Sequence, residues 1–291
     1  MRVRYGFHLS IAGSVANAAS EAASKGYGTF QIFPSSPRSW SVKEIDAVDA
    51  GRFRQHVKKH DLLPFAHIPY LCNLASPRDE IREKSATMLA ESMRACARLG
   101  IDGLVIHMGS HLGSGKSAGM KNLVEGICDA LETEKSTSIL LENSSGYANS
   151  IGSSVEEIGA VIREVGSDRV GVCFDTCHAF ASGYDLSSPR QLSRLEAEFE
   201  KEIGKERLKL VHLNDSKYPL GSKLDRHWHI GKGHIGFEGF VNFLSSEVFN
   251  IGTFIMETPV NSAADDASNV SALLRVLDAV ELKRRRAQNK E

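Results

Sequence analysis

The feature that most constrains this chain is a repeat of type rather than of sequence. A short apolar run rich in Val, Ile, Leu and Phe is followed by a polar stretch with helical spacing, eight times over, at residues 3–9, 28–33, 62–67, 103–107, 138–143, 170–175, 208–213 and 253–258. Such runs suit strands buried on both faces, and their alternation with helices is the pattern of parallel βα units. Eight units close into a TIM (β/α)8 barrel, and 291 residues fall in the usual range for one. Amphipathic stretches at 12–25, 45–60, 116–134, 155–165, 189–203, 237–244 and 263–282 supply the outer helices. Another helix follows LCNLAS: Ser76 is expected to cap it, Pro77 to take its first position, Asp79 and Glu80 to favour its positive end, and Gly100 to end it. No linker interrupts the pattern, so residues 1–282 read as one domain and 283–291 as a basic polar tail containing the run KRRR.

In such a barrel the chemistry sits at the carboxyl ends of the strands. Six consecutive runs end there in His67, His107, Glu142, Asp175, His212 and Glu257, with His178 just beyond the sixth and Asp225 and His227 in the loop after the seventh. One such residue is usually a hydrogen-bonded core or capping group. Nine imidazoles and carboxylates meeting in one basin would lose solvation at a cost of several kcal/mol each unless cations lay between them. Nitrogen and oxygen donors without thiolate suit catalytic Zn²⁺, with Mn²⁺ or Fe²⁺ as alternatives. Nine donors are too many for one ion and would fill three with one carboxylate shared. Cys173, two residues before Asp175, is expected deeper in the barrel interior, and Cys177 in the loop between two donors, not as a ligand.

Composition narrows the setting. Lys and Arg number 35 against 36 Asp and Glu, so any nucleic acid would have to be held by a local field rather than by net charge. Five cysteines without a CxxC pair fit reduced thiols, and no run is long enough to span a membrane. The first ten residues lack the apolar core of a secretion signal, so a cytoplasmic location is expected.

The segments HIPYLCNLAS (67–76), HMGSHL (107–112), VGVCFDTCHAFASGYD (170–185), HLNDSK (212–217) and DRHWHIGKGHIG (225–236) follow one another in this order. In them the chain resembles endonuclease IV, the metal-dependent apurinic/apyrimidinic endonuclease family of base-excision repair, over roughly residues 6–260. The resemblance implies three Zn²⁺: one on His67 and His107, with Glu142 bridging to a second completed by Asp175, His212 and Glu257, and a third on His178, Asp225 and His227. It implies a hydrolase that cuts duplex DNA 5′ to an abasic site, using a metal-activated water and leaving a 3′-hydroxyl and a 5′-deoxyribose phosphate, together with cleaning of damaged 3′ ends. Glu142, Asp175 and Glu257 would be its catalytic carboxylates, and Arg38, Tyr70 and Leu71 would push into the DNA beside the lesion. A monomer is implied.

The chain departs from that family's common pattern at Ser36 (usually Asn), Met108 (usually Pro) and Tyr147-Ala148 (usually Gln-Gly), which bears on DNA contacts and not on ligands. His8, His111, His229 and His234 read as phosphate or outer-layer contacts, and His56 and His60 as solvated helix residues. The competing readings are a metal-dependent sugar isomerase or epimerase of the xylose-isomerase-like barrels, which needs only Glu142, Asp175, His212 and Glu257, and a lesion-binding protein without catalysis.

Overall fold

A computed structural model describes residues 3–35, 39–40, 44–262 and 264–288. The apolar runs form strands β1 (Arg4–Phe7), β2 (Thr29–Ile32), β3 (Leu63–His67), β4 (Gly103–His107), β5 (Ser138–Glu142), β6 (Val170–Asp175), β7 (Leu208–His212) and β8 (Thr253–Met256). All neighbours in the sheet pair in parallel, in the order β1-β8-β7-β6-β5-β4-β3-β2. The two ends meet where Leu9 N donates to Gln31 O at 2.8 Å and Gly28 N to Tyr5 O at 3.1 Å, which closes the TIM barrel. That seam requires Gly6, because a Cβ there would stand 1.7 Å from the carbonyl oxygen of Thr29.

Helices cover the outside: α1 (Val15–Ser24), α2 (Ala47–Lys59), α3 (Asp79–Leu99), α4 (Lys116–Thr133), α5 (Val155–Val165), α6 (Thr176–Ser182), α7 (Pro189–Glu202), α8 (Gly236–Ser245) and α9 (Asp265–Gln288). Helix α3 begins later than its sequence suggests. Arg78, not Ser76, is its N-cap, and the Ser76 hydroxyl accepts instead from Arg78 N at 3.1 Å. Ser76 is fully buried, so its hydroxyl closes a turn ahead of the helix. Gly100 does end α3, in the left-handed conformation at φ 70°. Helix α6 is not legible in the sequence as a separate element, because its seven residues are too few to show a period; Cys177 therefore lies on a helix, not in a loop. Lys283 to Arg286, read as part of a tail, are exposed turns near the end of α9.

The core has two compartments. The larger one lies between the strands and the helices; the smaller fills the barrel itself and consists of Phe65, Val105, Leu140, Cys173, Leu210 and Ile255. Each of these six belongs to a different strand, β3 to β8.

Candidate metal centre

Side chains on one face of a strand recur every second residue. Two residues beyond Phe65, Val105, Leu140, Cys173, Leu210 and Ile255 stand His67, His107, Glu142, Asp175, His212 and Glu257. The candidate donors are therefore the next inward layer above the apolar plug, and Cys173 is the plug residue beneath Asp175. His178 reaches the same basin from α6, whose N-terminus is capped when the Asp175 side chain accepts from His178 N at 2.7 Å. Asp225 and His227 come from the loop after β7, where residues 215–216 and 227–228 form a two-stranded antiparallel ribbon. Buried Asp215 fastens this loop by accepting from the backbone N–H of Ser216, Gly233 and Ile235 at 2.8, 2.9 and 3.0 Å.

Donor atoms fall into groups whose members lie within 4.8 Å of one another: His67, His107 and Glu142; Glu142, Asp175, His212 and Glu257; and His178, Asp225 and His227. Glu142 joins the first two. Its Oε2 is 3.0 Å from His67 Nε2 and 3.6 Å from His107 Nδ1; its Oε1 is 3.0 Å from His212 Nδ1 and 3.4 Å from His178 Nδ1. A fourth group contains Asp175, Cys177 and His227. Burial pushes the Cys177 thiol up to about 12, so it is a poor source of thiolate, and the nitrogen and oxygen groups are the better candidates.

The chemistry of the donors fits divalent ions. His227 Nε2 is buried and makes no hydrogen bond among the described residues, yet Asp175 Oδ2 and Asp225 Oδ1 each lie 3.5 Å from it. A nitrogen facing two carboxylate oxygens at that spacing suits a cation placed between them. Without one, the charges are met by protons. Burial lowers His178 and His212, but Asp175 and Asp225 around the first, and Cys173, Glu257 and Glu142 around the second, raise both well above the usual imidazole value. Burial raises Glu142 and Asp225, but His107 and His212 acting on the first, and His178 and His227 acting on the second, hold both carboxyls below the usual range. His107 is pushed down to about 4 by burial, against the attraction of Glu142 and with help from His67 and His178.

Tyr70 and Leu71 stand on the rim, 62% and 38% exposed, with the Tyr70 ring 5.7 Å from the rings of both His67 and His107. Arg38 and Ser36 lie outside the described residues. His111 Nδ1 accepts from Gly113 N and Gly115 N and organises its own loop, His229 contacts Asn269, and His56 on α2 stacks on His60, which caps the end of that helix. Three buried amides were missed from sequence. Asn143 Oδ1 accepts from Asp175 N at 2.7 Å, Asn214 Nδ2 donates to Asp175 Oδ2 at 2.7 Å, and Gln31 lies between His212 and Glu257. Counting in twos along β2 as along β3 to β8 would have singled out Gln31.

Residues 19–280 match the family model described as Xylose isomerase-like TIM barrel. The probable endonuclease 4 of Methanoculleus marisnigri is 43% identical over 281 residues, covering 95% of this chain and 100% of its own length. This chain belongs to the endonuclease IV family. The probable endonuclease 4 of Thermotoga maritima is 39% identical over 280 residues, covering 95% of this chain and 97% of its own. Among solved structures, endonuclease IV from Thermus thermophilus has a TM-score of 0.84 at 34% identity, covering 94% of this chain and 99% of that one. A D-psicose 3-epimerase, with a TM-score of 0.69 at 15% identity over 95% of this chain and 99% of its own, shares the fold alone.

Proposed function

We propose that this chain is a metal-dependent endonuclease of base-excision repair that hydrolyses the phosphodiester bond 5′ to an abasic site in duplex DNA, leaving a 3′-hydroxyl and a 5′-deoxyribose phosphate. The observation that carries this is the meeting of nine nitrogen and oxygen donors in one basin of an endonuclease IV chain, in groups that share Glu142. His67, His107 and Glu142 would hold one Zn²⁺, Glu142, Asp175, His212 and Glu257 a second, and His178, Asp225 and His227 a third; Mn²⁺ or Fe²⁺ suits the same donors. When bound, such ions supply Lewis acidity, bringing a water's pKa toward neutrality and neutralising phosphate charge.

The chain's own side chains do the rest. Glu142, with one oxygen toward His67 and the other toward His212, is placed to orient an attacking water and accept its proton at a carboxylate oxygen. Asp175 and Glu257, fixed by Asn214 and Gln31, complete the catalytic carboxylates. Three dications against the four carboxylates of these groups would leave the basin net positive and so draw phosphate. No side-chain nucleophile is needed, and burial raises the thiols of Cys72, Cys173 and Cys177 to about 12, which keeps them unreactive. Tyr70 and Leu71 on the rim, with Arg38, would enter the duplex beside the lesion. The same site would clear blocked 3′ ends, since that too is phosphate-ester hydrolysis. The protein would act as a monomer in the cytoplasm, through one nuclease domain; no described helix is long and apolar enough to cross a membrane.

The test is a duplex carrying one abasic site, incubated with the protein with and without chelator, alongside elemental analysis. One cut 5′ to the lesion, lost on chelation and restored by Zn²⁺, is expected; an intact duplex in the presence of metal-loaded protein would overturn the proposal. A sugar epimerase would use only Glu142, Asp175, His212 and Glu257, and would leave the other two donor groups without a role.

A further inference from the structure

The top inward layer of the barrel has eight strand-end positions. Six carry candidate donors; the other two are His8, just past β1, and Gln31 on β2. Gln31 is fully buried, and each end of its amide is engaged. Its Nε2 donates to Glu257 Oε1 at 2.8 Å and lies 3.2 Å from His8 Nδ1, while its Oε1 lies 2.9 Å from His212 Nε2.

An amide can be placed either way round, and the neighbours decide which. An ionised carboxylate only accepts, so the end facing Glu257 must be the NH2 group. The carbonyl then faces His212 and accepts the proton that His212 carries on Nε2. In the neutral imidazole that would ligate a cation, the His212 lone pair is consequently on Nδ1, the atom 3.0 Å from Glu142 Oε1, 3.3 Å from Glu257 Oε2 and 4.0 Å from Asp175 Oδ2. Glu257 is divided in the same way: Oε1 is held by Gln31, which leaves Oε2 facing the donor group. The second amide hydrogen lies toward His8 Nδ1, which also stands 3.5 Å from Glu257 Oε1.

We infer that Gln31 is a positioning residue of the metal centre: it sets the tautomer of His212 and the rotation of Glu257 so that Nδ1 of one and Oε2 of the other face the same ion. This rests on the metal-centre reading above. Gln31 would act through two ligands and touch neither ion nor DNA. Only a neutral side chain with a donor at one fork and an acceptor at the other serves both neighbours. Methionine has the shape without the hydrogen bonds, and glutamate keeps an acceptor for His212 but sets a second carboxylate against Glu257.

The experiment compares zinc retention against a graded competing chelator, and kcat and KM on abasic duplex, for the wild type, Gln31→Met, Gln31→Glu and Thr29→Val. Thr29→Val is the structural control. It removes a hydrogen bond made by another fully buried residue of β2, the one from Thr29 Oγ1 to Leu63 O at 2.6 Å, without touching a candidate ligand. Both Gln31 variants are expected to release one ion per chain at about 10–100-fold lower chelator strength than wild type, the usual scale for loss of a partner that orients a ligand. Their kcat should fall while KM stays near wild type, and Thr29→Val should retain zinc normally. Wild-type zinc retention by either folded Gln31 variant overturns the inference, as does an equal loss in Thr29→Val. A wild-type chain that takes up no zinc overturns the metal-centre reading and this inference with it.

Discussion

Two layers inside the barrel come from the same strands and the same face, two residues apart, and are opposite in character. The lower, Phe65, Val105, Leu140, Cys173, Leu210 and Ile255, is apolar and closed to water. The upper, His67, His107, Glu142, Asp175, His212 and Glu257, is mostly as deeply buried, yet every member is ionisable or a nitrogen donor. The lower layer stabilises the barrel by removing apolar surface from water and by close packing. The upper layer gains neither, and its charges are tolerable only when each carboxylate meets a cation or a proton. One barrel thus divides its interior: the plug holds the strands in register, and the register delivers the donors to one basin.

The comparison can be broken most sharply from the upper layer. Glu142→Gln and Asp175→Asn are expected to reduce incision of an abasic duplex by about 1,000-fold or more, the upper scale for deleting one group that stabilises transition-state charge, with the far-ultraviolet spectrum of the folded protein retained. Undiminished cutting by either purified variant would refute its role. The lower layer should fail in the other way. Leu140→Ala, at a position 1% exposed, is expected to cost about 2–5 kcal/mol of unfolding free energy in a denaturant titration. Zinc content per folded molecule should stay at the wild-type level, and a selective loss of zinc at unchanged stability would merge the two layers into one.

Smaller effects sharpen the same division. Tyr70→Ala on the rim is expected to weaken binding of abasic duplex by about 1–3 kcal/mol, the scale of one aromatic–base contact, with metal content unchanged. Equal affinity for abasic and intact duplex in both wild type and variant would remove the insertion role. Metal uptake should depend on pH. His178 and His212 are raised well above the usual imidazole value when no ion is present, so below their raised values an entering ion must displace their protons. Affinity should therefore rise with pH, by about tenfold per unit for each proton released, and level off once both histidines are neutral. Zinc titrations in buffers of different ionisation enthalpy check this; uptake that releases no protons at neutral pH contradicts it.

Most of the fold was legible because parallel strands buried on both faces leave unbroken apolar runs, and eight of them fix the closure. What was misread lay where local hydrogen bonds override propensity: Ser76 closes a turn with Arg78 N instead of capping α3, and α6 is opened by the Asp175 cap over too few residues to show a period. The donors stood out because a charged or imidazole side chain at the end of an apolar run is chemically conspicuous. Gln31, Asn143 and Asn214 did not, because a neutral amide at such a position reads as an ordinary polar residue until its two partners are seen. Rim contacts are the least legible part, since Tyr70 and Leu71 carry no period and their exposure follows from the loop path alone.

The most direct measurement is anomalous diffraction at the zinc absorption edge from crystals of the metal-loaded protein. Three peaks are predicted at the top of the barrel, with nitrogen ligands from His67, His107, His178, His212 and His227 at about 2.0–2.1 Å. Peaks bound elsewhere, or none among these side chains in protein that still cuts abasic DNA, would contradict the account.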